Sequence, residues 1–188
     1  MNNCSTCFQK LTLAFCVLAS LPLIVQAQSP DYSRAGKPEF YVLGQYWTGS
    51  NIRNATGPGF GIGYNLTEHA NVNLEGYVGD LDVKINGVNG VGTTFVSTIN
   101  LDYNFLKSRF TPLVTLGAGV FNYDARDHDK HPLIFNVADT GACYGGGAGL
   151  RYEVSRHWFM KAEYRVFGTS VSGMEVVHGP DISVGWKF

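Results

Sequence analysis

Apolar and polar residues alternate with period two along most of this chain, the spacing of β-strands whose two faces meet different surroundings. The last segment shows it best: Ile182, Val184, Trp186 and Phe188 fall on one face, Asp181, Ser183, Gly185 and Lys187 on the other. Before it, Trp158, Met160, Ala162, Tyr164 and Val166 oppose His157, Lys161, Glu163 and Arg165. Similar patterns run through Ala142 to Val154, Phe60 to Leu66, Val72 to Gly79 and Thr93 to Phe105. Pro38 to Thr48 and Thr111 to Asp124 are strand-like but mixed on both faces. The pattern predicts about eight strands of roughly 9–13 residues, close to the 9–11 that a tilted strand needs to cross a bilayer.

The connections sharpen this picture. Stretches expected to be long loops (Gly49 to Thr56, Lys84 to Gly92, Ala125 to Asp139, Gly168 to Val177) alternate with short ones (Thr67 to Ala70, Leu106 to Phe110, Ser155 to Arg156). The chain therefore runs up and down, with long loops at one end and both termini at the other. That is the arrangement of barrels in bacterial outer membranes. The predicted fold is all-β: an eight-stranded, up-and-down antiparallel transmembrane barrel over residues 38–188.

The N-terminal stretch reads differently. Lys10 is the only charge before Asp31, Leu11 to Val25 is almost wholly apolar, and Val25-Gln26-Ala27 offers a small-x-small cleavage site. Residues 1–27 are expected to be a cleaved signal peptide, and residues 28–37 a short polar leader. Cleavage would remove Cys4, Cys7 and Cys16 and leave Cys143 without an internal disulfide partner. The 23 Gly are about twice the usual ~7% share, too many for a helical protein. With 14 Lys and Arg against 15 Asp and Glu, the near-neutral charge argues against nucleic acid as a partner.

Alternation alone also suits a soluble barrel with its apolar face inward. The polar face decides between them. It carries glycines with Glu75, Asp102, Arg151, Glu153, Lys161, Glu163, Arg165, Asp181 and Lys187. This set reads as a nearly balanced charge network inside a barrel. Aromatics gather toward strand ends (Tyr64, Tyr103, Tyr152, Trp158, Trp186, Phe188), as interfacial girdles do. The apolar face is therefore expected to meet outer-membrane lipid, including lipopolysaccharide in the outer leaflet.

Several motifs resemble those of OmpA/OmpX-type and opacity-like outer-membrane barrels. They are Arg109-Phe110-Thr111-Pro112 leading to Leu116-Gly117-Ala118-Gly119-Val120, the Gly145 to Tyr152 strand, and Lys161-Ala162-Glu163-Tyr164-Arg165. The closing Val184-Gly185-Trp186-Lys187-Phe188 looks like the family's terminal signature. The resemblance implies that Ile182, Val184, Trp186 and Phe188 engage the barrel-insertion machinery. It also implies that the peptidoglycan-binding domain of full OmpA proteins is missing after Phe188.

Other chemistry is weaker. Gly57-Pro58-Gly59-Phe60-Gly61 and Gly145-Gly146-Gly147-Ala148-Gly149 do not fit a nucleotide-binding GxGxxG; interior glycines admitting bulky neighbours explain them better. Asp127-His128-Asp129-Lys130-His131 contains metal-ligand types, but Lys130 opposes a cation and a solvated loop is expected. Asn54-Ala55-Thr56 and Asn65-Leu66-Thr67 match a glycosylation sequon, read as chance in a bacterial exported protein. Neither His178 nor His157 supplies the His-x-Ser pair of lipid A deacylases. The expectation is a non-enzymatic protein without cofactor or metal, serving envelope structure or presenting surface loops, chiefly Lys84 to Gly92 and Ala125 to Asp139. The alternatives are a narrow pore and a lipid A-modifying enzyme.

Overall fold

The computed structural model of the protein describes residues 33–85, 88–127 and 136–188. Eight antiparallel strands form one closed barrel: β1 (Pro38–Gly49), β2 (Ile52–Asn65), β3 (Ala70–Ile85), β4 (Val88–Asn104), β5 (Phe110–Asp127), β6 (Asn136–Glu153), β7 (Trp158–Thr169) and β8 (Val176–Lys187). Each strand pairs with its sequence neighbours, and β1 closes on β8 from Glu39↔Lys187 to Gly49↔Val177. Closure is what hydrocarbon demands, because an open edge would leave backbone N–H and C=O groups without partners. The signal-peptide segment lies outside the described residues.

The seam between β1 and β8 is fastened at both ends. At the end carrying the termini, the Phe188 N–H donates to the Pro38 carbonyl at 3.1 Å. At the far end the Ser50 N–H donates to the Val176 carbonyl at 2.9 Å. Beside it, Asn51 Nδ2 donates to the Gly173 carbonyl at 2.8 Å. Asn51 and Gly173 both take left-handed backbone conformations, φ 56° and 81°, which Asn and Gly accept most readily.

Three short connections, residues 66–69, 105–109 and 154–157, lie at the terminal end, as expected. At the other end, two of the expected long loops are corrected. Strands β2 and β4 absorb most of 49–56 and 84–92, leaving residues 50–51 and 86–87 as connections. Residues 128–135 and 170–175 join the remaining pairs. The 18-residue β5 is about 60 Å long at ~3.3 Å per residue. Tilted by ~40°, it rises about 45 Å, well past an apolar band of ~25 Å.

What lets these strands continue is an inversion of their pattern. Within the belt, Val72, Leu74 and Val78 of β3 face out while Asn73 and Glu75 are buried. Farther along, Asp80 and Lys84 are exposed while Leu81 and Val83 are buried. In β5, Leu116 and Val120 face out below, and Phe121, Tyr123 and Ala125 point in above. The barrel thus has a lower storey with apolar walls and a polar lumen. Its upper storey has polar walls and an apolar lumen.

Candidate functional site

The lower lumen is an ionic network. All nine sequence-predicted charges lie inside the barrel and are at most 5% exposed. Alternation puts them there, because a strand's odd and even positions must face opposite sides. Arg151 binds Glu39 and Glu153, each at 2.9 Å, and Lys187 binds Glu153 at 3.0 Å. Above these, Lys161 sits 3.2 Å from Asp102 and 3.7 Å from Glu163. Higher still, Arg165 forks between Glu75, Glu163 and Asp181. Neutral partners fill the remaining valences. Tyr41 Oη donates to Glu75 at 2.6 Å, Gln45 Nε2 to Asp181 at 2.7 Å and Thr115 Oγ1 to Asp102 at 3.0 Å. Two cations also lie over rings, Arg151 over Phe159 at 4.0 Å and Lys161 over Tyr41 at 4.4 Å.

Two members were missed from sequence. Glu39 belongs to the mixed β1, although it shares a phase with Tyr41, Leu43 and Gln45. Arg34 comes from the leader and enters the barrel mouth. Its Nη1 lies 3.7 Å from Glu153 and its Nη2 donates to the Leu106 carbonyl at 2.6 Å. Glu68, in the 66–69 turn, accepts the Arg34 N–H at 3.0 Å and also binds the Ser33 hydroxyl. Partial burial opposes ionisation of Glu68, but hydrogen bonds from Ser33 and the Arg34 and Ala35 amides prevail and hold its pKa below 4.5.

The upper lumen is an apolar cluster. Trp47, Tyr77, Phe121, Tyr123 and Phe167 form its bulk, joined by Leu81, Val83 and Cys143. Trp47 packs against Tyr77 and Phe167 with ring centroids 5.1 and 5.7 Å apart. Val171 and Met174, from the connection between β7 and β8, close it from above. The expectation that glycines and ions alone fill the lumen is thus corrected for this storey. Between the storeys, Gln45, Trp47, Glu75, Tyr77, Arg165 and Phe167 line a cavity of about 10 Å³, room for about one water.

The glycine run of β6 has a packing role. A Cβ on Gly145 would lie 2.0 Å from the Val166 carbonyl oxygen, and one on Gly149 2.1 Å from that of Ala162. Elsewhere inside, the Tyr41 ring covers Gly61 and the Phe159 ring covers Gly185. These positions admit close backbones or large rings, and no phosphate cradle is formed.

Outside, the terminal end carries an aromatic girdle. Tyr64, Tyr103, Tyr152, Trp158 and Phe188 are exposed. Trp158 meets Trp186 edge-on at 5.0 Å, and His157 stacks on Trp186 at the same distance. Of the terminal set, Ile182, Val184 and Phe188 face outward with Trp186 beside them. Higher on the wall, Tyr164 and His178 share a hydrogen bond of 2.6 Å. No group of three or more metal-ligand side chains occurs among the described residues; His128 and His131 lie outside them.

A closed eight-stranded barrel with an apolar belt, a girdle and a polar lower lumen is a small transmembrane β-barrel. Residues 13–188 match the outer membrane protein β-barrel domain family. The chain belongs to that family, which places it in the outer membrane. Comparison with curated proteins by sequence found no match. Among solved structures, the fold is similar to Neisserial surface protein A, at 13% identity and TM-score 0.62 over 81% of this chain and 96% of that one. It is also similar to the N-terminal barrel of OprF from Pseudomonas aeruginosa, at 18% and 0.59 over 82% and 98%. A third similar structure is Ail, the attachment invasion locus protein of Yersinia pestis, at 14% and 0.55 over 82% and 99%.

Proposed function

We propose that the protein is a non-conducting, non-enzymatic outer-membrane barrel that supports the envelope and displays its upper storey outside the cell. One observation carries this reading: the lumen is filled along its length, by ion pairs below and by packed rings above. An eight-stranded barrel leaves only enough interior for side chains. Here those side chains hold one another across the lumen. The displayed surface consists of the projecting β3–β4 and β5–β6 hairpins, with Asp80, Lys84, Thr93 and Thr140 exposed on their walls. Export would follow from the N-terminal signal segment, and assembly from recognition of Ile182, Val184, Trp186 and Phe188 by the insertion machinery.

Planar-bilayer recording of the purified protein tests the central claim. The expected trace is flat. Steady single-channel steps would overturn the reading in favour of a pore. Mass spectra of lipid A from cells with and without the gene should be identical; a missing or added acyl chain would make the protein an enzyme.

A further inference from the structure

The two rims of the barrel differ in charge. Among the described residues, Lys37, Lys107, Arg109 and Arg156 reach the surface at the periplasmic end, against one acidic side chain, Glu68. That carboxylate is already engaged by Ser33 and Arg34. At the opposite rim Asp80, Asp82, Asp124, Asp139 and Glu175 outnumber Arg53 and Lys84. Arg109 is fixed at girdle height. Arg109 donates from Nε to the Glu153 carbonyl at 2.8 Å and from Nη2 to that of Val154 at 2.7 Å. This ties the β4–β5 turn to the β6–β7 turn, where Arg156 stands. The Arg109 guanidinium also lies 5.0 Å from the Tyr152 ring centroid, and an exposed interfacial tyrosine marks the headgroup level.

Above the β4–β5 turn the lipid-facing wall is grooved. Val72, Ile99, Leu101, Leu116, Ala118 and Tyr144 surround a shallow, open depression. The wall dips there because the outward-facing Ala118 is small beside Leu116 and Tyr144. Leu101, at the groove's foot, is three residues from the end of β4 at Asn104, about 8 Å of height on a tilted strand, and the turn carrying Lys107 and Arg109 follows directly. Phosphate at the turn and acyl chain in the groove are therefore within one lipid's reach.

We propose that this rim and groove form a docking site for an anionic glycerophospholipid of the periplasmic leaflet. Lys107, Arg109 and Arg156 meet its headgroup, and the groove seats one of its chains. Charge complementarity selects the anionic headgroup, and the outward apolar lining selects a lipid over a wall peptide.

Native mass spectrometry of the folded protein, with phosphatidylglycerol and phosphatidylcholine of identical chains, tests the proposal. Wild type should retain phosphatidylglycerol preferentially, and added NaCl should weaken the preference. Lys107→Glu with Arg156→Glu should cut the preference by about tenfold while leaving the heat-dependent gel shift of the folded barrel intact. Ala118→Trp, which fills the groove, should lower retention of both lipids. Equal retention of the two lipids by wild type overturns the proposal, as does an unchanged preference after charge reversal. Binding confined to lipid A phosphates or to wall peptides does so too. If the charge-reversed protein does not fold, a salt-insensitive preference in wild type is the overturning result.

Discussion

Arg165 on β7 spans the lumen to Glu75 on β3, its Nη2 donating to Glu75 Oε1 at 3.0 Å while its Nε donates to Glu163 at 2.7 Å. One guanidinium thus binds a carboxylate on its own strand and another across the barrel. Because all three groups are buried, removing the cation leaves Lys161, 4.0 Å from Glu75 and 3.7 Å from Glu163, as the one nearby cation among the described residues for carboxylates that Arg165 had shared.

Arg165→Met should therefore lower unfolding stability by about 3–5 kcal/mol. Adding Glu75→Gln to it should recover part of the loss. Urea unfolding in lipid or detergent, run as a double-mutant cycle, measures the coupling; additive losses would show that the pair acts independently.

The storeys should separate energetically. Phe121→Ala removes a large ring from the upper cluster and should cost about 3–5 kcal/mol. It should not open a conducting path, because the ionic storey below still fills the lumen. Conductance should require small, neutral replacements in both storeys, for example Phe121→Ala together with Glu75→Ala and Arg165→Ala. Single-channel recording of each variant checks this order.

Glycines of β6 should differ sharply from a lipid-facing one. A Cβ at Gly145 meets the Val166 carbonyl, whereas one at Gly44 has nothing within 4 Å. Gly145→Ala should destabilise the barrel by about 1–3 kcal/mol, and Gly44→Ala should be near neutral. Unfolding midpoints of the two variants, compared side by side, give the answer.

Docking of the leader should depend on pH. Although partial burial of Glu68 works against ionisation, hydrogen bonds from Ser33, Arg34 and Ala35 hold its pKa below 4.5 in the folded protein. A depressed carboxylate contributes stability that is present above its unfolded pKa and disappears as pH falls through the folded value. The Arg34 and Ala35 amides should therefore be protected from hydrogen exchange near neutral pH and lose protection as pH falls below the ordinary glutamate range. Glu68→Gln should remove most of that pH dependence.

Strand number, up-and-down topology and the nine inward charges were legible because the period-two pattern holds across β3, β4, β6, β7 and β8, and each charge falls on the polar phase of its strand. Strands β1 and β5 looked ambiguous for a physical reason. Tyr41 and Leu43 of β1 and Leu113 of β5 put apolar groups beside the lower ions, and Trp47, Phe121 and Tyr123 enter the upper cluster, so both faces of these strands carry large apolar side chains. The inversion between storeys disguised strand as loop at 49–56 and 84–92. Polar outer residues such as Asp82 and Lys84 suggested solvent, although Leu81 and Val83 still alternated with them. Arg34 left no local signal, since its contacts to Glu153 and Leu106 are fixed only by the completed barrel.

The seam between β1 and β8 has a consequence for traffic. Clasped by Asn51 and Gly173 above and by Pro38 and Phe188 below, the first and last strands offer no side door into the bilayer. Any molecule inside would have to travel along the axis, past Arg165 and Trp47. Exchange with the surroundings is thereby confined to the outer wall and the two mouths.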